Sequence, residues 1–323
     1  MLKSNTVLFS LSANKDLALS IAKILGVELG ETNIHRFPSG EVIVEPVDTV
    51  RGKKIFIIQS TCPPVNENLM ETLIFIDALR RSSAKEINLV CPYFGYARQD
   101  RKAKPRQPIT SALVAHLLGT AGLDRIVTVN LHAAQIQGFF SCLADDLTAV
   151  PLLAREIQSK MSDFSNVTVI SPDHGGVNRA RKLAEILDTP LAIIDKRRSN
   201  TLEPEAMNII GEVRGKDCVM IDDMIDTAKS AVIGARALLE SGAKSVRIAA
   251  VHPVFSDPAY ELLKDGPFDE IIVTDSIPLD ERFSSLPFVS VVSLATLLAE
   301  CVERIDDNAP LSAVFSAYGL TSN

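Results

Sequence analysis

Short apolar runs alternate with amphipathic stretches along almost the whole chain, and that rhythm predicts strands and helices in turn. Residues 6–11 read as a strand and 16–26 as a helix ending at Gly26. Further strands are expected at 55–60, 87–92 and 125–130, with helices at 68–81 and, after Pro108, at 110–119. Downstream the rhythm returns, with strands at 166–171, 191–195, 219–222, 246–251, 270–274 and 288–293 and a helix at 179–188. The exception is 35–47, where Pro38-Ser39-Gly40-Glu41 separates two short extended runs and predicts a hairpin. Alternation of this kind gives an α/β fold of parallel sheets with helices on both faces. Ligands then bind beyond the carboxyl ends of the strands.

The two halves repeat. Ile21-Ala22-Lys23-Ile24-Leu25 matches Leu183-Ala184-Glu185-Ile186-Leu187, and Ala78-Leu79 through Ala84-Lys85-Glu86-Ile87 parallels Ala237-Leu238 through Ala243-Lys244-Ser245-Val246. Both offsets are about 160 residues and the order is the same, which favours internal duplication. The chain's 323 residues suit two domains, with a boundary near 147–151. The expected division is 1–147, completed by 306–323, and 148–305.

Within the second half, Cys218 to Ile221 reads as a buried strand that stops at the adjacent carboxylates Asp222 and Asp223. A small-residue turn, Asp226-Thr227-Ala228-Lys229-Ser230, leads into a helical pattern over 231–239. One reading is a phosphate held on backbone N–H groups, with the carboxylates serving sugar hydroxyls or Mg²⁺. The other is an ordinary strand-to-helix turn with Asp226 or Thr227 as N-cap. The matching strand of the first half is followed by Thr61-Cys62-Pro63-Pro64-Val65-Asn66-Glu67, without an acidic pair. A site kept only in the second half would leave the first for another ligand or for assembly.

Charge and cysteine usage narrow the function classes. A net charge of −7 argues against non-specific nucleic-acid binding. No apolar run approaches the ~18–20 residues of a membrane span, and the first residues lack a secretory pattern. The five cysteines, Cys62, Cys91, Cys142, Cys218 and Cys301, form no C-x-x-C pair, which fits a reduced cytoplasm and argues against structural zinc.

Other polar clusters fall at expected strand ends. Arg98-Gln99-Asp100-Arg101-Lys102, continued by Lys104 and Arg106, suits triphosphate recognition. His132 is either structural or a ligand for metal or phosphate. Asp173 precedes Gly175-Gly176, where backbone can approach a ligand and the carboxylate can hold Mg²⁺. Lys196, Arg197 and Arg198 are consecutive cations after Asp195, and an anion would relieve their repulsion. Together these groups meet the needs of phosphoryl-type transfer from Mg·nucleotide to a phosphorylated sugar.

The motifs Phe37-Pro38-Ser39-Gly40-Glu41, Tyr96-Ala97-Arg98-Gln99-Asp100, Leu131-His132-Ala133, Ser171-Pro172-Asp173, Asp195-Lys196-Arg197-Arg198 and Asp222-Asp223-Met224-Ile225-Asp226-Thr227 occur in this order. In them the chain resembles the ribose-phosphate pyrophosphokinase family along essentially its whole length. The resemblance implies two type I phosphoribosyltransferase-like domains, Mg²⁺, and a cytoplasmic homo-hexamer whose ATP site is shared between subunits. The implied reaction moves the β,γ-pyrophosphoryl group of ATP to O1 of ribose 5-phosphate and leaves AMP. Carried over by position, Phe37, Ser39, Gly40, Glu41, Arg98, Gln99, Asp100 and His132 bind ATP, and His132 and Asp173 serve the metal. Lys196 and Arg198 are implied to be catalytic. Asp222, Asp223, Asp226, Thr227, Ala228, Lys229 and Ser230, with Arg198, are implied to bind ribose 5-phosphate.

Departures bear on the degree of activity. The family usually has Asp where this chain has Ser39, Asn130 and Ser141, although Asp145 remains further along. Lys229 stands where the family's phosphate loop usually has Gly. Two readings therefore stand beside each other: an active synthetase, and a weak or inactive paralogue that regulates an active hexamer. A phosphoribosyltransferase that consumes the product is disfavoured by the ATP-loop motifs.

Overall fold

The computed structural model describes residues 2–196 and 207–317, which divide into two compact units. One comprises residues 2–148, 276–278 and 293–317, and the other 149–196, 207–275 and 279–292.

The first unit begins β1 (Thr6–Ser10), α1 (Lys15–Leu25) and β2 (Leu29–Gly30), then a hairpin of β3 (Thr32–Arg36) and β4 (Val42–Pro46). There follow β5 (Lys54–Ile58), α2 (Val65–Arg81), β6 (Glu86–Cys91), α3 (Thr110–Ala121), β7 (Arg125–Val129), a 3-10 turn at Ala134–Phe139, and β8 (Leu143–Leu147). Helix α1 forms because Leu17, Ala18, Ile21, Ala22 and Leu25 make one buried stripe. The Asn14 side chain accepts the Leu17 N–H at its start, and Gly26 takes φ +67° at its end. Ile55 to Ile58 of β5 are all inaccessible to solvent, as expected of a parallel strand covered on both faces. The sheet order is β2-β1-β5-β6-β7-β8, with every adjacent pair parallel. The hairpin forms its own antiparallel pair, and β4 packs on α2 with Val44 buried in the core.

The second unit contains α4 (Val150–Lys160), β9 (Val167–Ser171), α5 (Val177–Leu187), β10 (Leu191–Lys196), β11 (Met207–Ile210), β12 (Asp217–Ile225) and α6 (Lys229–Glu240). It continues through β13 (Ser245–Pro253), α7 (Ala259–Lys264), β14 (Glu270–Thr274), α8 (Glu281–Ser284) and β15 (Val289–Val292). The order is β11-β10-β9-β12-β13-β14-β15, and within this sheet, among the described strands, β11 alone pairs antiparallel.

Without β11, the second sheet repeats the order of the first, with β9 in the place of β1, β12 in that of β5 and β13 in that of β6. The residues that match in sequence are buried in both copies: Ile21, Ala22 and Leu25 in α1, and Leu183, Ala184 and Leu187 in α5. Leu79 and Leu238, at the ends of α2 and α6, are likewise inaccessible.

The chain returns to the first unit at residue 293, before the 306 expected from sequence. Helix α9 (Ala295–Asp307) packs on α1, and α10 (Ser312–Ala317) follows. The Asp306 carboxylate accepts the Lys3 N–H at 2.7 Å and the Thr6 hydroxyl at 2.5 Å, tying α9 to the start of β1.

Candidate active site

The acidic pair does not end its strand, as the sequence pattern had implied. Strand β12 runs through both carboxylates to Ile225, because β13 continues alongside it as far as Pro253. Arg179 of α5 reaches the pair, with Nη1 3.0 Å from Asp222 Oδ1 and Nη2 3.3 Å from Asp223 Oδ1. The Asp223 side chain is only 6% exposed, whereas Asp222 keeps 31% and faces solvent more. Burial first, then the neighbouring Asp223 charge, pushes the Asp222 carboxyl up to about 7. Two carboxylates in the carboxyl half of a parallel strand, steadied by one guanidinium, can accept hydrogen bonds from vicinal hydroxyls.

Directly after them the chain turns into α6 through Ala228, which has φ +61° and occupies the N-cap position. Neither Asp226 nor Thr227 is the N-cap, and the N-cap residue Ala228 has no side chain that could make a capping hydrogen bond. The turn thus opens the helix at a residue that offers no capping acceptor, and a helix N-terminus of this kind can receive an anion. Asp226 and Thr227 are half-buried, Ala228 is buried, and Lys229 and Ser230 are exposed.

Between β9 and α5, Asp173 Oδ1 accepts the Gly176 N–H at 2.9 Å, and the Ser171 hydroxyl donates to the Asp173 carbonyl at 2.7 Å. A Cβ at Gly176 would come within 3.1 Å of Ser171 Oγ, so this tight turn favours glycine. His174 Nε2 lies 3.0 Å from Asp195 Oδ1, joining the Asp173 turn to the end of β10. Lys196 closes that strand, with its backbone paired to Met207. Arg198 lies outside the described residues.

In the first unit, the predicted hairpin carries Phe37 to Glu41 at its tip. The Phe37 N–H donates to Glu41 O at 2.8 Å, the Gly40 N–H to Phe37 O at 2.9 Å, and the Ser39 hydroxyl to Glu41 Oε2 at 2.8 Å. Phe37 packs edge-on against His35 yet remains 43% exposed. Gln99 joins the basic loop to α3: its side-chain oxygen accepts the Thr110 hydroxyl at 2.5 Å, and its carbonyl accepts the Ser111 hydroxyl at 3.0 Å. Gln135 donates to Asp100 Oδ2 at 2.8 Å, so the Asp100 and His132 loops meet. Arg98 and His132 are both exposed.

Several structural residues were not singled out from sequence. Asp146 accepts the Thr128 hydroxyl at 2.8 Å and the Leu131 N–H at 3.1 Å, supporting the His132 turn, and burial pushes its carboxyl up to about 6. Asp145, its neighbour on β8, pairs instead with Arg125. Asn130 opens this turn at φ +48°, a conformation Asn tolerates better than most residues. Ser141 sits against α3, where a Cβ at Gly119 would collide with its hydroxyl. Arg179 was legible only as a cation in the first turn after Gly175-Gly176.

Residues 6–122 match the family described as the N-terminal domain of ribose phosphate pyrophosphokinase, and residues 198–316 match the phosphoribosyl synthetase-associated domain. The chain is 52% identical to the ribose-phosphate pyrophosphokinase of Fusobacterium nucleatum, over 97% of its own length and 99% of that protein's. The chain belongs to the ribose-phosphate pyrophosphokinase family. It is also 49% identical to ribose-phosphate pyrophosphokinase 1 of Streptococcus agalactiae, across 97% of each chain. Among solved structures it resembles phosphoribosylpyrophosphate synthetase from Mycobacterium smegmatis, with a TM-score of 0.90 and 43% identity over 95% of this chain and all of the other. Among the described residues, no helix is long and apolar enough to cross a membrane, and no group of three or more His, Cys, Asp or Glu side chains is placed to hold a metal ion.

Proposed function

We propose that the chain is a ribose-phosphate diphosphokinase that transfers the β,γ-pyrophosphoryl group of ATP to O1 of ribose 5-phosphate, releasing AMP. The observation that carries this reading is the continuity of the acidic pair with the turn at Ala228 that opens α6. Asp222 and Asp223 accept the ribose hydroxyls, and the turn from Asp226 to Ser230 wraps the 5-phosphate. Phe37, Ser39, Gly40, Glu41, Arg98, Gln99, Asp100 and His132 hold ATP. O1 attacks the β-phosphorus, the bond from that phosphorus to the bridging oxygen of AMP breaks, and the O1 proton is lost. Lys196 and Arg198 offset the charge that develops on the pyrophosphoryl oxygens.

Mg²⁺ fits the residues present. Asp173 is exposed and uses one oxygen on the Gly176 N–H, so its other oxygen suits a hydrated cation that takes most of its ligands from water and phosphate. His132, in the first unit, is likewise assigned to serve metal, on the ATP side. When bound, the ion neutralises phosphate charge. We also assign a homo-hexamer in the cytoplasm, with the 37–41 loop serving a neighbouring subunit's ATP, a reading supported by the exposure of Phe37 at the hairpin tip.

The test is AMP formation from Mg·ATP with and without ribose 5-phosphate. AMP that depends on the sugar phosphate is expected. No AMP, or AMP released equally without the sugar, would overturn the assignment, and inactivity with co-assembly into an active partner's hexamer would favour a regulatory paralogue.

A further inference from the structure

Glu71 of α2 has a side chain with no exposed surface, yet it bears a carboxylate. Its oxygens accept from the Ser12 N–H at 2.7 Å, the Ser12 hydroxyl at 2.8 Å, Gln59 Nε2 at 3.3 Å and Arg36 Nη2 at 2.8 Å. Gln59 also accepts the Ala13 N–H at 2.9 Å. A buried carboxylate is tolerated only when paired and hydrogen-bonded, and these donors supply both conditions.

The duplication gives this cluster a meaning. Ser12 and Ala13 lie in the turn between β1 and α1, the counterpart of the turn between β9 and α5. In the second unit that turn is open, with Asp173, His174 and Gly175 exposed. In the first unit, an internal carboxylate takes up the Ser12 N–H and hydroxyl, and the Gln59 side-chain oxygen takes the Ala13 N–H, all donors that an arriving anion would use. The cluster also reaches outward: Arg36 is the last residue of β3, next to Phe37 at the start of the hairpin tip.

We propose that Glu71 is a built-in anion filling the first unit's former ligand cradle, and that through Arg36 it fixes the base of the 37–41 loop as a positioning residue for ATP. This rests on the assignment of that loop to ATP made above. A purely structural role would alter melting temperature and leave substrate preference untouched. A positioning role acts on one substrate.

Glu71→Gln keeps the shape and an acceptor for the Ser12 N–H while removing the shorter of Arg36's two ion pairs, the other being Nη1 to Glu67 Oε2 at 3.5 Å. Arg36→Gln removes this tie, and with it the longer pair to Glu67, from the half-exposed side and serves if the first variant folds poorly. Two readouts are taken on the full chain: hydrogen exchange of the amides in 32–46, and KM and kcat for each substrate. Each variant should speed exchange in the hairpin and raise KM for Mg·ATP about three- to tenfold, with kcat and KM for ribose 5-phosphate within about twofold. The double variant should be no worse than the weaker single one. Unchanged exchange would remove the anchor. Faster exchange with unchanged KM for Mg·ATP would keep the anchor and sink the loop's assignment to ATP, and equal effects on both substrates would reduce Glu71 to a stability residue.

Discussion

Asp222 Oδ1 accepts the backbone N–H of its own neighbour, Asp223, at 2.8 Å, while Asp223 raises the proton affinity of Asp222 through its charge. The pair is thus held in a geometry that costs stability once both groups are ionised. The Asp222 carboxyl moves from 3.8 to about 7 on folding, so the folded chain binds this proton more tightly than the unfolded chain. The resulting contribution to stability is present below about 4 and is lost as pH rises through about 7. Asp222→Asn should flatten the decline in melting temperature across that window, with a gain on the order of 1 kcal/mol above it, the site being part-solvated. The same substitution should weaken ribose 5-phosphate binding. A variant that melts with the wild-type pH profile would refute the placement of the charge.

Lys196 ends β10, beside the Asp195 that meets His174. If it acts on developing charge, Lys196→Ala should lower kcat by about 10²–10³ and leave KM for ribose 5-phosphate nearly unchanged. Steady-state kinetics decide. A large rise in KM at near-normal kcat would make Lys196 a binding residue.

Lys229 is exposed at the first position of α6, whereas Thr227 is half-buried in the turn. Lys229→Gly should weaken ribose 5-phosphate binding only several-fold, on the order of 1 kcal/mol, and less in high salt. Thr227→Val should cost more, because it removes a hydroxyl and leaves a phosphate oxygen unpaired. Calorimetric titration with ribose 5-phosphate, and with ribose lacking the phosphate, separates the two. Loss of binding in the Lys229 variant alone would mean that backbone donors do not form the cradle.

Ala228 holds φ +61° while buried, a conformation that disfavours any residue with a Cβ. Ala228→Gly should stabilise the second unit by about 0.5–1 kcal/mol and raise its melting temperature by roughly 2–4 °C. Calorimetry of the two proteins side by side would show it, and an unchanged or lower transition would mean that neighbouring contacts already offset the strain.

Local pattern made much of this architecture readable. The stripes of α1 and α5 announce themselves because each buries a single face, and β5 and β14 are apolar because both of their faces are covered. The hairpin followed from its Pro-Ser-Gly turn. What escaped was decided at long range. The acidic pair looked like a strand end until the partner β13 was known to extend beside it. Asp145 and Asp146 are neighbours on β8, where successive side chains point to opposite faces, so composition could not say which one reaches the His132 turn. Helix α9 has an ordinary amphipathic pattern that does not name α1 as its partner. Arg36, Gln59 and Glu71 are far enough apart in sequence that only folding brings them together.

The tie between Asp306 and the segment from Lys3 to Thr6 has a consequence for biosynthesis. Helix α9, which packs on α1, is translated after the whole of the second unit, since it begins at Ala295. A nascent chain can close the second sheet as soon as β15 has left the ribosome, while β1 still lacks its Asp306 partner. The half translated first is thus the half completed last, because the flank of α1 that α9 covers stays open until the whole of the second unit has been made.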